Sequence, residues 1–176
     1  MKTLMKLLII IAVFGSASGS LAEAGEGAEK GLDMANARHP MENLITGGQP
    51  SEEDLRGFAE RGYELVINLR LVGEFSDFNE AGVVESLGMR YLNIPVAGMG
   101  DLTPENARLL HDALEAAGGA VVLHCASGRR AGALLGVEGF LFHDLSGQQA
   151  IELGVRANLD HVAGAIEDSI EKLPRE

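Results

Sequence analysis

The stretch from Ala120 to Phe142 constrains the fold most. Ala120-Val121-Val122-Leu123-His124 reads as a short buried β-strand. It runs through Cys125-Ala126-Ser127-Gly128-Arg129-Arg130 into a helix that stays apolar on nearly every face to Phe142. A helix of that kind belongs at the centre of a domain. Gly132, Gly136 and Gly139 within it each cost about 1 kcal/mol relative to alanine, so they are expected to mark close packing of the backbone against neighbouring elements.

The remaining chain alternates short β-type runs with amphipathic helices, the pattern of an α/β domain with a largely parallel sheet. Leu44 to Thr46 is a strand, broken by Gly47-Gly48-Gln49-Pro50 before Ser51 caps a helix with Asp54 three residues on. Gly62 ends that helix, and Leu65 to Leu69 follows as a buried strand. Phe78 to Leu87 is a helix closed by Gly88, Tyr91 to Val96 a strand, and Thr103-Pro104-Glu105 opens a helix stopped by Gly118-Gly119. Ser146 caps a helix through Arg156, and a last helix runs from Asp160 to Leu173. The expectation is a central, mostly parallel sheet of about four to five strands flanked by helices.

Composition narrows the function classes. With 46% hydrophobic and 23% charged residues in 176, the chain is one globular domain and not a disordered one. A formal charge of −12, with no basic cluster longer than Arg129-Arg130, argues against a nucleic-acid partner. One cysteine excludes a disulfide framework and a cysteine-rich zinc module.

At the N-terminus, Lys2 and Lys6 precede the apolar run Leu7 to Phe14 and the small-residue stretch ending Ser20-Leu21-Ala22. This is the pattern of a secretory signal peptide over residues 1–22, too short in its apolar run to span a membrane permanently. Residues 23–42 read as a flexible leader into a domain covering 43–176. The expected location is therefore periplasmic or secreted, with no stable membrane insertion after cleavage. Export would place Cys125 in an oxidising compartment with no internal thiol to pair with.

Cys125 lies at the carboxyl end of a strand and just before a helix N-terminus. Unpaired N–H groups and the helix dipole there stabilise negative charge, so the turn favours a thiolate and a bound oxyanion, and Arg129 and Arg130 add fixed positive charge.

The segment Val122-Leu123-His124-Cys125-Ala126-Ser127-Gly128-Arg129-Arg130 resembles the active-site loop of cysteine-dependent phosphatases. The resemblance extends to Thr46-Gly47-Gly48-Gln49-Pro50-Ser51, Val66-Ile67-Asn68-Leu69-Arg70 and Ile94-Pro95-Val96, and so covers most of residues 43–160. It is strongest to the bacterial phosphatase-like domains related to dual-specificity phosphatases, the group also found fused to beta-lactamase-like hydrolases. The resemblance implies Cys125 as nucleophile, the amides of Ala126, Ser127, Gly128, Arg129 and Arg130 as oxyanion cradle, Arg130 as bidentate clamp, and His124 tuning the thiol from the strand. It places a general acid in the loop after the strand ending at Val96, where Asp101 is the carboxylate. Asp101 also reads as a residue favouring the dipole of the helix capped by Thr103. Arg70 is expected at the rim of the same pocket; Glu74 and Asp77 read equally well as a solvated loop. The implied partner is a phosphorylated small molecule or protein.

Two departures separate the sequence from the phosphatase pattern. Only four residues lie between Cys125 and Arg130 where phosphatases have five, and Ala131 stands where that spacing would put the arginine, so the hydroxyl that normally follows it is missing as well. The reading Cys-x-x-Gly-x-Arg also resembles rhodanese sulfurtransferases, which carry a persulfide on the cysteine. Three hypotheses follow: a phosphatase, a sulfurtransferase, and a module that binds an oxyanion without turnover. No cofactor is implied. His111, His143 and His161 show no metal-ligand spacing, and no metal is assigned.

Overall fold

The computed structural model describes residues 34–157 and 163–172. Five strands form one sheet: β1 (Arg38–Met41), β2 (Leu44–Gly47), β3 (Tyr63–Asn68), β4 (Arg90–Asn93) and β5 (Ala120–His124). Their order is β1-β2-β5-β3-β4, and every pairing is parallel except β1 with β2. The expected mostly parallel α/β sheet is therefore what the chain forms, with β5 at its centre.

Among the described residues the helices packed about the sheet are α1 (Glu52–Glu60), α2 (Glu80–Ser86), α3 (Pro104–Glu115), α4 (Arg129–Phe142), α5 (Gly147–Arg156) and α6 (Ala163–Ile170). Alternation along the strands divides the core in two. Leu65, Ile67 and Leu69 with Val121 and Leu123 face α3, α4, α5 and α6, whereas Val66 and Val122 face Leu55 and Phe58 of α1 and Val84 of α2. Residues Ala131 to Phe140 of α4 are all buried, as an apolar helix in the middle of a domain must be.

Local chemistry sets the boundaries. Ser51 and Asp54 form a reciprocal capping box at α1, Ser146 and Gln149 form another at α5, and Thr103 caps α3 with Pro104 in its first turn. Close packing explains two glycines in α4. A Cβ on Gly136 would lie 2.9 Å from the Ala150 carbonyl oxygen, and one on Gly139 would meet Leu145 and Leu153 at the same distance.

Three expectations change. Residues 38–41, read as part of a flexible leader, form the edge strand β1, whose exposed polar side chains carry no strand-like hydrophobic pattern. The strand read as Tyr91 to Val96 ends at Asn93, because Pro95 has no N–H to continue the ladder. The last helix, expected to reach Leu173, gives way to a turn after Ile170; residues 160–162 and 173 of its expected span lie outside the described residues. The signal peptide, the rest of the leader up to residue 33 and His161 lie outside the described residues. Among the described residues no helix is long and apolar enough to cross a membrane.

Candidate active site

Parallel register brings four strand ends into one line. Gly47 of β2 and Asn68 of β3 both pair with His124 of β5, and Asn68 pairs with Asn93 of β4. The loops leaving those residues gather at the carboxyl edge of the sheet, where ligand sites of open α/β folds lie.

The loop after β5 holds the sulfur. Gly128 adopts φ +87°, a left-handed conformation that costs a side chain about 1 kcal/mol or more, and so begins α4 without a side-chain cap. Its N–H donates to Cys125 Sγ at 3.1 Å. The first amides of α4, at Arg129, Arg130 and Ala131, have no intrahelical carbonyl to reach and point toward the loop by helix geometry. Cys125 is only 1% exposed, so access to the sulfur is restricted. Ala126, Ser127 and Arg129 are exposed.

The Gly47-Gly48-Gln49 segment braces this loop from β2. Gly47 carbonyl accepts from the Cys125 amide at 3.3 Å, Gly48 bridges Ser127, and the Gln49 amide donates to the Ala126 carbonyl at 3.4 Å. A Cβ on Gly48 would lie 3.0 Å from the Ala126 carbonyl oxygen, so glycine is what permits the approach.

Arg130 is fixed by Glu74, which the sequence reads equally as pocket rim or solvated loop. Its Nη1 donates to Glu74 Oε2 at 2.8 Å and to the Val96 carbonyl at 2.8 Å, and its Nη2 donates to Glu74 Oε1. Hydrogen bonding to Glu74 pushes the guanidinium above its ordinary pKa; burial opposes this, and the charge of Cys125 and a hydrogen bond to it add to it. The same hydrogen bond holds the Glu74 carboxyl down from 4.5 to about 2, against partial burial and with help from the Leu71 amide and Arg70. The guanidinium also hydrogen-bonds Cys125, so the edge not taken by Glu74 and Val96 meets the sulfur and can offer donors to an oxyanion there.

Arg70 supports this clamp. Its Nε donates to Glu74 Oε1 at 3.2 Å, Nη2 to the Glu74 carbonyl at 2.6 Å and Nη1 to Gln49 Oε1 at 2.9 Å, while its guanidinium lies over the Phe75 ring at 4.8 Å. The sequence places Arg70 at the pocket rim; its donors are committed to Glu74 and Gln49, which makes it a positioning residue for Arg130.

His124 is fully buried, beneath the loop. Its Nε2 lies 3.0 Å from Glu80 Oε1, close enough for charge pairing although too bent for a well-formed hydrogen bond. Glu80 also accepts from Gln49 Nε2 at 2.7 Å, Asn68 Nδ2 at 2.6 Å and Tyr91 OH at 3.3 Å. Burial alone would raise the Glu80 pKa, but the close His124 ring, with hydrogen bonds from the Gln49 and Asn68 side-chain amides, outweighs it and holds the group below its ordinary value. Burial, reinforced by the Glu80 charge, pushes Tyr91 up to about 12. The chain His124–Glu80–Gln49–Arg70–Glu74–Arg130 thus runs from the residue before the sulfur to the guanidinium that faces it.

Asp101 ends a 3-10 turn, Met99–Asp101, in the loop that also supplies the Val96 carbonyl. Its Oδ2 accepts from the Ala97 amide at 2.7 Å, and its carbonyl accepts from Asn106 Nδ2 at 2.9 Å. The carboxylate closes its own turn.

The histidine reading needs one correction. His111 and His143, which show no metal-ligand spacing in the sequence, meet at the buried Glu138 on the far side of the domain, at 2.9 and 2.8 Å from one carboxylate oxygen.

A cysteine held at the N-terminus of a central helix, with an arginine folded back over it at the carboxyl edge of a parallel sheet, defines the cysteine phosphatase class of fold. Solved structures share it, three of which illustrate the match. The catalytic domain of the PP-IP phosphatase SIW14 from S. cerevisiae superimposes with TM-score 0.63 at 19% identity, covering 80% of this chain and 86% of that one. Tk-PTP in its active form gives 0.61 at 19% identity over 78% and 97%. A DUF442 protein from Shewanella putrefaciens gives 0.62 at 21% identity over 79% and 88%.

Residues 36–139 match the family described as the phosphatase-like domain of beta-lactamase hydrolase-like protein, and the chain belongs to that family. It is 34% identical over 94 residues to the beta-lactamase hydrolase-like protein of Xylella fastidiosa, covering 51% of this chain but only 22% of that relative. The chain therefore spans about a fifth of the length of such relatives.

Proposed function

We propose that the chain is an exported cysteine-dependent phosphatase that hydrolyses phosphate monoesters. The observation that carries this reading is the convergence of Cys125 Sγ, the Gly128 N–H and the Glu74-held Arg130 at the N-terminus of α4. The Cys125 thiolate attacks phosphorus, and the bond to the ester oxygen breaks while Asp101, in its acid form, gives that oxygen a proton. Arg130 and the loop amides hold the equatorial oxygens as charge develops on them. Water then attacks phosphorus, releases inorganic phosphate and restores the thiolate, its proton passing to Asp101.

A second reading is a sulfurtransferase, favoured by the four-residue spacing from Cys125 to Arg130, by the apolar Ala131 after it, and by the commitment of Asp101 to the Ala97 amide. Here Cys125 takes the outer sulfur of thiosulfate, releases sulfite, and passes that sulfur from the persulfide to a thiophile such as cyanide. No general acid is required.

One preparation tests both. Aryl phosphate hydrolysis that is lost in Cys125→Ser and slowed at least ~100-fold in Asp101→Asn supports the phosphatase. Thiocyanate formation with a single-sulfur mass increment on Cys125 supports the sulfurtransferase. Oxyanion binding without either turnover leaves a binding module. Export is inferred from Lys2, Lys6 and Leu7 to Phe14; N-terminal sequencing of protein from the producing cell, expected to begin at Glu23, tests it.

A further inference from the structure

We propose that His111, Glu138 and His143 bind a borderline divalent transition-metal cation, with Zn2+ as the type, at the pole of the domain opposite Cys125. Glu138 is 2% exposed in the middle of an otherwise apolar stretch of α4. A carboxyl group so placed is costly unless something positive or hydrogen-bonding meets it. It also sits in the last turns of α4, where the helix dipole disfavours negative charge and favours a cation.

What meets it is a converging pair of imidazoles from different elements. His111 Nδ1 from α3 and His143 Nε2 from the end of α4 lie 2.9 and 2.8 Å from the same atom, Glu138 Oε1. All three ligand atoms fall within 4.8 Å of one another. Two nitrogens and one oxygen are the donor set of a zinc site that keeps a position for water. Around a tetrahedral zinc the ligand atoms stand about 3.3 Å apart, so each nitrogen retreats from Oε1 by a few tenths of an ångström while the two nitrogens, now within 4.8 Å of each other, close toward the ion.

The rings are already oriented. His111 stacks on Phe142, 4.6 Å between centroids and 18° between planes, and Phe142 in turn lies under the Arg108 guanidinium at 5.0 Å. His143 is 44% exposed and lines a surface cleft with Glu42 and Glu115, which opens a route for a hydrated cation and adds negative charge along it. Proton balance is simple. A neutral imidazole that donates its N–H to Oε1 moves that proton to its other ring nitrogen, and an imidazolium releases one to solvent; either leaves a lone pair for the metal. The bound cation would tie α3 to the end of the helix whose other end carries the reactive loop.

The test uses the full chain carrying Cys125→Ser, so that no thiolate competes, freed of metal by a chelator and titrated with Co2+ and then Zn2+. The expected result is one cobalt per chain with visible bands of a four- or five-coordinate site, displaced by zinc, and a zinc Kd of about 10 μM or tighter. His111→Gln and His143→Gln are each expected to weaken zinc binding at least ~30-fold while circular dichroism stays unchanged. Absence of stoichiometric binding up to roughly 1 mM metal overturns the proposal, as does binding that survives both histidine substitutions. If a variant fails to fold, X-ray absorption on the zinc-loaded parent decides: two imidazoles at about 2.0 Å support the site, and fewer than two overturn it.

Discussion

Glu74 grips Arg130 through both terminal nitrogens of the guanidinium, across 56 residues of chain, while the same guanidinium hydrogen-bonds Cys125. A flexible arginine at the mouth of an oxyanion cradle would have to be ordered by each ligand; this one is ordered beforehand.

Removing the clamp therefore lowers turnover more than stability. Glu74→Gln is expected to reduce kcat/KM for whichever oxyanion substrate is turned over by about 10- to 100-fold. The stability lost is about 1 kcal/mol, since the pair is partly exposed. The sign of its pH dependence follows from the depressed carboxyl. A group lowered from 4.5 to about 2 contributes stability above its unfolded value and loses it as pH falls through the folded one. The Tm gap between the parent and Glu74→Gln should be constant from pH 7 to about 5 and close toward pH 2, as thermal melts by circular dichroism will show.

Local charge at Cys125 should prevail over the field of a chain carrying −12. Iodoacetate, an anion, is expected to alkylate Cys125 faster than neutral iodoacetamide does, relative to a free thiol, and Arg130→Met should remove about 10-fold of that preference. Mass spectrometry of timed, quenched reactions measures both rates. A thiol that reacts with neither reagent in the native chain contradicts both catalytic readings.

Glu80→Ala should be among the most damaging substitutions. It strands His124, Asn68, Gln49 and Tyr91 together in a buried site, and the expected loss is roughly 3 kcal/mol. Denaturant titration measures it. The same variant should lower the Tyr91 pKa from about 12 by removing the neighbouring charge, leaving burial as the remaining upward influence, which ultraviolet titration against Tyr91→Phe resolves.

Gly136→Ala tests the packing of α4. Its Cβ would lie 2.9 Å from a backbone oxygen of α5, which yields only if the helices shift, so a loss of about 1 to 3 kcal/mol is expected. Gly128→Ala, by contrast, forces a left-handed residue into the loop and should impair anion binding before it affects the Tm.

The elements that sequence reading placed well are those whose determinants are local. The capping boxes at Ser51 and Ser146, the Thr103-Pro104 start and the run from Ala120 through the loop into α4 are each specified within a few residues. The functional contacts it missed are long-range. Glu74 is separated from Arg130 by 56 residues, His111 from Glu138 by 27 and Glu80 from His124 by 44. No periodicity marks such a partner. One trace is present: a glutamate at 138 inside an otherwise apolar helix is a buried charge in need of company. The sequence points to Arg70, whereas the inward turn of its donors to Glu74 and Gln49 is set by loops that meet only in the fold.

Strand β1 has a consequence for how the molecule behaves in company. A parallel sheet whose outermost strand were long and apolar would invite another chain to dock alongside and seed growth. Here the border is four residues long, carries Arg38 and His39 outward, and includes Pro40, which offers no amide to a newcomer. The sheet is sealed on that flank, and concentrated solutions of the domain should resist forming ordered stacks through it.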